Sequence, residues 1–195
     1  MNIIMIRHPV TKANVEGIVQ HNLDGDLDAR GYIQIDKLLK HLELESIDRL
    51  YSSDAYRCRA LAEKIGELKG LPIVYSPLFR EINNGDWFGK KKEAVSKLLL
   101  ECTGNARPPN GESLTDLAER AKEGFNLITN AGGERAVLVS HGWFLKTFLG
   151  NHICMSPNMA ISRLKFSNCA VSEIRIESNS CLIEYLNNRD YLKNE

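Results

Sequence analysis

Four apolar runs of this sequence end in side chains that could do chemistry. "IIMI" at 3–6 runs into Arg7 and His8, "LYSS" at 50–53 stops just before Arg57, and "VLVS" at 137–140 runs into His141 and Gly142. A fourth run, "PIVY" at 72–75, leads through "SPLF" to Arg80 and Glu81. Arginine and histidine are costly to bury alone, so at a single strand end they read as ordinary surface. Brought together, two guanidiniums, two imidazoles and a carboxylate suit a phosphate group. Planar donors match phosphate oxygens, a neutral imidazole offers a nucleophilic nitrogen, and a carboxylate exchanges a proton with a leaving oxygen.

For these residues to meet, the strands that carry them must end on one edge. Strand-like and helix-like segments alternate along the chain. After the strand at 2–6 comes a helical stripe of Tyr32, Ile35, Leu38, Leu39 and Leu42, then the strand-like "DRLYSS". Ser53 is placed to cap a second helix striped by Cys58, Leu61, Ala62, Ile65 and Leu68 and closed by Gly70 and Pro72. "PIVY" is the third strand, and a polar, irregular stretch follows. "SLTD" at 113–116 has capping-box spacing and opens a helix striped by Leu114, Leu117, Ala118, Ala121, Phe125 and Ile128, closed by Gly132 and Gly133. "AVLVS" at 136–140 is a strand with "WFLKTFLG" as a helix behind it, while "CAVSEIRIE" and "CLIEYL" flank "SNS" as an antiparallel hairpin. These patterns predict an α/β fold, a three-layer sandwich. Its central sheet is mostly parallel, with helices on both faces and the antiparallel hairpin at the C-terminal end. Such sheets bind ligands beyond the carboxyl ends of their strands.

Composition narrows the classes of function. The 195 residues suit a single domain over 1–195, and the 25 basic and 25 acidic side chains balance, so nothing global points to nucleic acid or a membrane surface. An anion site must therefore be local. The five cysteines, Cys58, Cys102, Cys154, Cys169 and Cys181, are odd in number and contain no C-x-x-C pair, which fits reduced thiols rather than a disulfide framework or zinc site. With no basic leader and no run of 18 apolar residues, the expected compartment is the cytoplasm.

Six segments, in order, carry a family resemblance: "RHPVTKAN" at 7–14, "LDARGYIQ" at 27–34, "SSDAYRCRALA" at 52–62, "REINNGDWFG" at 80–89, "PPNGES" at 108–113 and "VSHG" at 139–142. Each is weak alone; the ordered set resembles the histidine phosphatase superfamily, the phosphoglycerate mutase-like group. The resemblance implies that His8 is the nucleophile that takes the phosphoryl group and that Arg7, Arg57 and His141, the last protonated, clamp its oxygens. It also implies that Glu81 is the acid and then the base, and that Asn14 and Gly142 contact substrate. No metal or other cofactor is implied. The short interval between Glu81 and His141 resembles the compact phosphatase branch, that of α-ribazole phosphatases and broad-specificity phosphatases. The implied activity is a metal-independent phosphomonoester hydrolase acting on a small phosphorylated metabolite such as α-ribazole 5'-phosphate. A cofactor-dependent phosphoglycerate mutase is the nearest alternative, and a non-catalytic phospholigand-binding or regulatory protein is the alternative from another class. The number of subunits stays open.

Two departures flank the nucleophile. Pro9 stands where the family usually has glycine and Val10 where it has an acidic residue. Pro9 has no N–H to offer a phosphate and biases His8 toward an extended backbone. Substrate contacts are expected in a lid or substrate loop at about 83–112, and whether Lys90, Lys91, Lys92 or Arg107 reaches the substrate stays open here. The remaining motifs read as structural. Cys169 to Arg175 has cysteine-phosphatase spacing but alternates like a strand, and "DGDLDARG" at 24–31 lacks the glycine and terminal carboxylate of a calcium loop. Trp87 and Phe88 fit either core or lid, and His21, His41 and His152 have no comparable partners in sequence.

Overall fold

The computed structural model describes residues 1–21, 23, 25–101, 106–177 and 180–193. In chain order its elements are β1 (Asn2–Arg7), α1 (Lys12–Glu16), α2 (Ala29–Leu42), β2 (Arg49–Ser52), α3 (Tyr56–Lys69) and β3 (Ile73–Tyr75). They continue with α4 (Lys92–Glu101), α5 (Leu114–Asn130), β4 (Arg135–Ser140), α6 (Gly142–His152), α7 (Pro157–Arg163), β5 (Val171–Glu177) and β6 (Ser180–Asn188). The strands form one six-stranded sheet in the order β3-β2-β4-β1-β5-β6. β1, β2, β3 and β4 pair in parallel, whereas β5 lies antiparallel to β1 and to β6.

The unbroken apolar runs of β1 and β4 follow from burial on both faces. Alternate side chains of β1 go opposite ways. Ile3 and Met5 join Leu138 of β4, Leu117 and Ile128 of α5, and Phe144 and Phe148 of α6 in one core. Ile4 and Ile6 join Val137 and Val139 of β4, Ile35 and Leu38 of α2, and Leu61 and Ile65 of α3 in the other. The expected three-layer α/β architecture is therefore present, and it aims the carboxyl ends of β1, β2 and β4 the same way.

Some local expectations differ. Helix α3 begins at Tyr56 after Ala55, with no side-chain cap on its first turn; the Ser53 hydroxyl accepts the Ala55 N–H at 3.3 Å and lies 2.9 Å from His141 Nε2. Tyr32 is exposed and Gln34 is buried, since Gln34 Oε1 accepts the Val10 N–H. The stretch 83–112 is not wholly irregular, for α4 lies within it; its residues 102–105 are outside the described ones, as are Ser178 and Asn179 of the hairpin turn. Cys169 precedes a strand rather than a phosphate loop, as its alternation implies.

Candidate active site

Arg7 and His8 leave the end of β1, and the His8 N–H donates to the Ser140 carbonyl of β4 at 2.9 Å, which locks the two strand ends together. The His8 Nδ1 lies 2.8 Å from the Pro9 carbonyl. A carbonyl only accepts, so Nδ1 carries the proton and Nε2 keeps its lone pair. Proline at 9 thus removes an N–H that this tautomer does not use. Burial, then the charges of Arg57 and Arg7, push the His8 pKa well below the usual imidazole value, so the ring is neutral. Asn168 Nδ2 supports the turn by donating to the carbonyls of His8 and Pro9, at 3.0 and 3.2 Å.

His141, directly after β4, is fully buried with its ring centroid 5.2 Å from that of His8. Its Nε2 is 2.9 Å from the Ser53 hydroxyl and 3.4 Å from the Cys58 sulfur, whose thiol burial pushes up to about 12. Burial, Arg57 and His8 depress the His141 pKa well below normal. These causes favour a neutral His141 ring, where the expectation from sequence is a protonated one.

Both arginines donate to main-chain carbonyls. Arg7 Nη1 donates to the Phe166 carbonyl at 2.7 Å, and Arg57 Nη1 donates to the His21 carbonyl at 3.1 Å. Gly142 lets α6 start against Arg7: a Cβ there would stand 3.3 Å from Arg7 Cζ and Nε. Glu81 is tethered to the first turn of α6. Its oxygens accept the N–H groups of Ile82 (3.1 Å), Trp143 (3.2 Å) and Phe144 (3.0 Å). Asn14 at the start of α1 accepts from Asn168 Nδ2, while its own buried Nδ2 has no partner among the described residues.

Arg7, His8, Asn14, Arg57, Glu81 and Gly142 all line one cavity of about 300 Å³, with His141 packed behind His8. Lys92, Lys146 and Lys165 also line it. Of the four basic residues left open above, Lys92 faces the cavity. Lys90 lies over the Trp87 ring, Lys91 Nζ donates to the Glu16 carbonyl, and Arg107 pairs with Asp116. Burial and the charge of Arg7 lower the Lys92 pKa to about 8. Trp87 packs partly buried against the core, and Phe88 is exposed. Lys146, one turn into α6 from His141, and Asn168 carry no expectation from sequence, and Ser53 carries only that of a helix cap; the position of Lys146 on the helix behind "VSHG" is the available signal. Among the described residues no group of histidine, cysteine or acidic side chains is disposed to hold a metal ion. His41 stacks on Tyr191 and His152 on Phe125, away from the cavity. Cys58, Cys154, Cys169 and Cys181 are free thiols, and Cys102 is outside the described residues. No described helix is long and apolar enough to cross a membrane.

Known proteins share both pattern and shape. A probable phosphoglycerate mutase GpmB of Photorhabdus laumondii is 30% identical over 182 residues, covering 89% of this chain and 84% of the relative. The crystal structure of the α-ribazole phosphatase from Shigella flexneri superposes with a TM-score of 0.87 at 23% identity, covering 96% of each chain. A phosphoserine phosphatase from Entamoeba histolytica in complex with 3-phosphoglyceric acid also gives 0.87, at 24% identity over 98% of each chain. At these identities the two structures establish the fold. Residues 3–189 match the family description "Histidine phosphatase superfamily (branch 1)", and the chain belongs to that superfamily.

Proposed function

We propose that the chain hydrolyses small phosphomonoesters through a phosphohistidine on His8. The observation that carries this is the His8 ring itself: neutral, with Nε2 bearing the lone pair, in one cavity with Arg7 and Arg57. Phosphoryl transfer needs positioning and charge neutralisation more than covalent help. Arg7, Arg57 and Asn14 Nδ2 hold the phosphate oxygens. The Nε2–P bond forms as the ester P–O bond breaks, and Glu81 gives its proton to the leaving oxygen. In the second half Glu81 takes a proton from water, the water oxygen bonds phosphorus, and the Nε2–P bond breaks to release phosphate. Asn84, Lys92, Val95 and Ser96 line the same cavity and are assigned the leaving-group side.

The cations also favour a substrate class. Among the described residues the cavity lining holds Arg7, Arg57, Lys92, Lys146 and Lys165 against the one carboxylate of Glu81. A phosphate dianion occupies the arginines, and the lysines favour a leaving group that bears an acid. This ranks a phosphorylated acid above α-ribazole 5'-phosphate, in keeping with the phosphoglycerate and phosphoserine named for the relatives. The proposal includes a cytoplasmic reaction on a small metabolite. Rapid-quench assays test the proposal: phosphoserine and p-nitrophenyl phosphate should both give an acid-labile phosphoenzyme, absent in His8→Ala. Turnover undiminished in His8→Ala would overturn it, and tight phosphate binding without turnover would favour a phospholigand-binding role. With phosphoglycerate and a bisphosphoglycerate primer, phosphate release should exceed isomerisation; the reverse makes the protein a mutase.

A further inference from the structure

We infer that Arg120, together with Glu112, is the positioning device for Glu81, an assignment that rests on the phosphatase role proposed above. Glu81 lies between two short 3-10 turns, Pro77–Phe79 and Gly85–Trp87, and no strand or helix fixes its backbone. Arg120 reaches it from the middle of α5. Its Nη1 donates to the carbonyls of Leu78 (2.9 Å) and Arg80 (2.8 Å), and its Nη2 donates to the carbonyl of Glu81 itself (3.2 Å). Nε and Nη2 pair with the two oxygens of Glu112, each at 2.8 Å. These contacts use all five N–H donors of the guanidinium.

Glu112 completes the hold from the far side. Its Oε2 accepts the Asn83 N–H at 2.8 Å, and its own N–H donates to the Asn83 carbonyl at 2.8 Å. The segment is thus pinned at 78, 80, 81 and 83, on both sides of the one residue in it assigned a step in the reaction. Arg120 also lies 5.7 Å from the centroid of Phe144, whose N–H holds the Glu81 carboxylate. Backbone and carboxylate of Glu81 are therefore fixed through one connected cluster. The pair is largely shielded, with 17% and 23% of the two side chains exposed, so water competes poorly for its bonds. Lysine cannot replace the arginine, because an ammonium has three donors at one point and no planar fork. Glu112, ion-paired to Arg120 through both oxygens and outside the cavity lining, is a tether and not a proton donor.

A group that acts by aiming Glu81 should matter only where Glu81 moves a proton. Positioning errors of about an ångström can cost about a hundredfold. In rapid-quench experiments below the melting temperature, Arg120→Lys and Glu112→Gln should slow phosphoenzyme formation from phosphoserine about ten- to a hundredfold. Formation from p-nitrophenyl phosphate, whose leaving group needs no proton, should stay within about threefold of wild type. Phosphoenzyme should also accumulate, since water activation fails too. In a Glu81→Gln background the further effect of Arg120→Lys should vanish. Equal losses on both substrates, no loss on either, or full additivity with Glu81→Gln would overturn the assignment. Arg120→Ala serves as a third variant where it folds, with the other two sufficient where it does not. A wild-type chain that forms no phosphoenzyme overturns the phosphatase proposal instead, so the two failures are distinct.

Discussion

Two buried, neutral imidazoles make a sharp prediction about acid stability. For His8 and His141, burial is the leading cause of the depressed pKa and the charge of Arg57 the next. In the unfolded chain each returns to about 6.5. Between that value and the lower folded one, the unfolded state binds more protons, so stability rises with pH up to about 6.5 and falls as the solution is made more acid. An imidazole that stays neutral in the fold costs about 2 kcal/mol on going from pH 8 to pH 5. Two cost about 4 kcal/mol, a large share of the roughly 5–15 kcal/mol of a typical domain. Asp54, Asp116 and Asp28, whose carboxyls are held low by Arg80, Ser113 and Arg30, lose their contribution only at more acid pH, so this window isolates the imidazoles. His152, part-buried against Phe125, adds a smaller drop of the same sign. The assay is urea unfolding at pH 8, 6.5, 5.5 and 5, on the wild type, on His8→Asn and on His141→Asn. Each substitution should remove about half of the excess slope. Stability equal within about 1 kcal/mol at pH 8 and 5, or a slope untouched by both substitutions, would refute the reasoning.

Four further outcomes follow from the same cavity. Binding of inorganic phosphate near pH 7 should take up a proton, because His141 starts neutral; titration calorimetry in buffers of different ionisation enthalpy measures this, and zero uptake would remove His141 as a protonated clamp. Activity should persist in EDTA, since side chains are assigned the neutralising charge; complete loss restored by a divalent ion counts against that assignment. Gly142→Ala places a methyl 3.3 Å from Arg7 Cζ and should raise KM severalfold with little change in Tm, whereas unchanged kinetics would show that Arg7 gives way. Lys92→Ala should raise KM for phosphoserine about tenfold and leave that for p-nitrophenyl phosphate nearly constant, and equal effects on both would detach Lys92 from the leaving group.

What was legible in the sequence is what a period or a strand end encodes. The runs of β1 and β4, buried on both faces, mark the sheet, and the polar residues after them mark its working edge. The capping box at Ser113 and Asp116 is local chemistry and forms as expected. Helix α4 was hidden because its lysine-rich start resembles a solvated loop and only Val95 of its first turn is deeply buried. Helix α7 is short, and its signal, Ser156 capping a turn with Pro157 inside it, was easy to pass over. Ser53 shows the limit of local reasoning: its hydroxyl suits a helix cap, but the strand ends bring His141 to it from 88 positions away. The service of Arg120 is equally non-local, since no sequence spacing joins a helix-interior arginine to the carbonyls of residues 78, 80 and 81. The neutrality of His141 depends on burial and on neighbours that only the assembled sheet supplies.

The contact between His8 Nδ1 and the Pro9 carbonyl has a consequence for how this chain can vary. The group that sets the orientation of the His8 ring, the proposed nucleophile, belongs to the main chain, which every amino acid shares. Position 9 is therefore open to neutral drift in a way that positions 7 and 8 are not: any residue that fits its buried site and tolerates an extended neighbour keeps the acceptor in place. A library randomised at 9 should stay populated by functional variants, proline among them, while the same library at 8 should collapse to histidine. Heritable change next to His8 Nε2 is thereby uncoupled from the chemistry proposed for that atom.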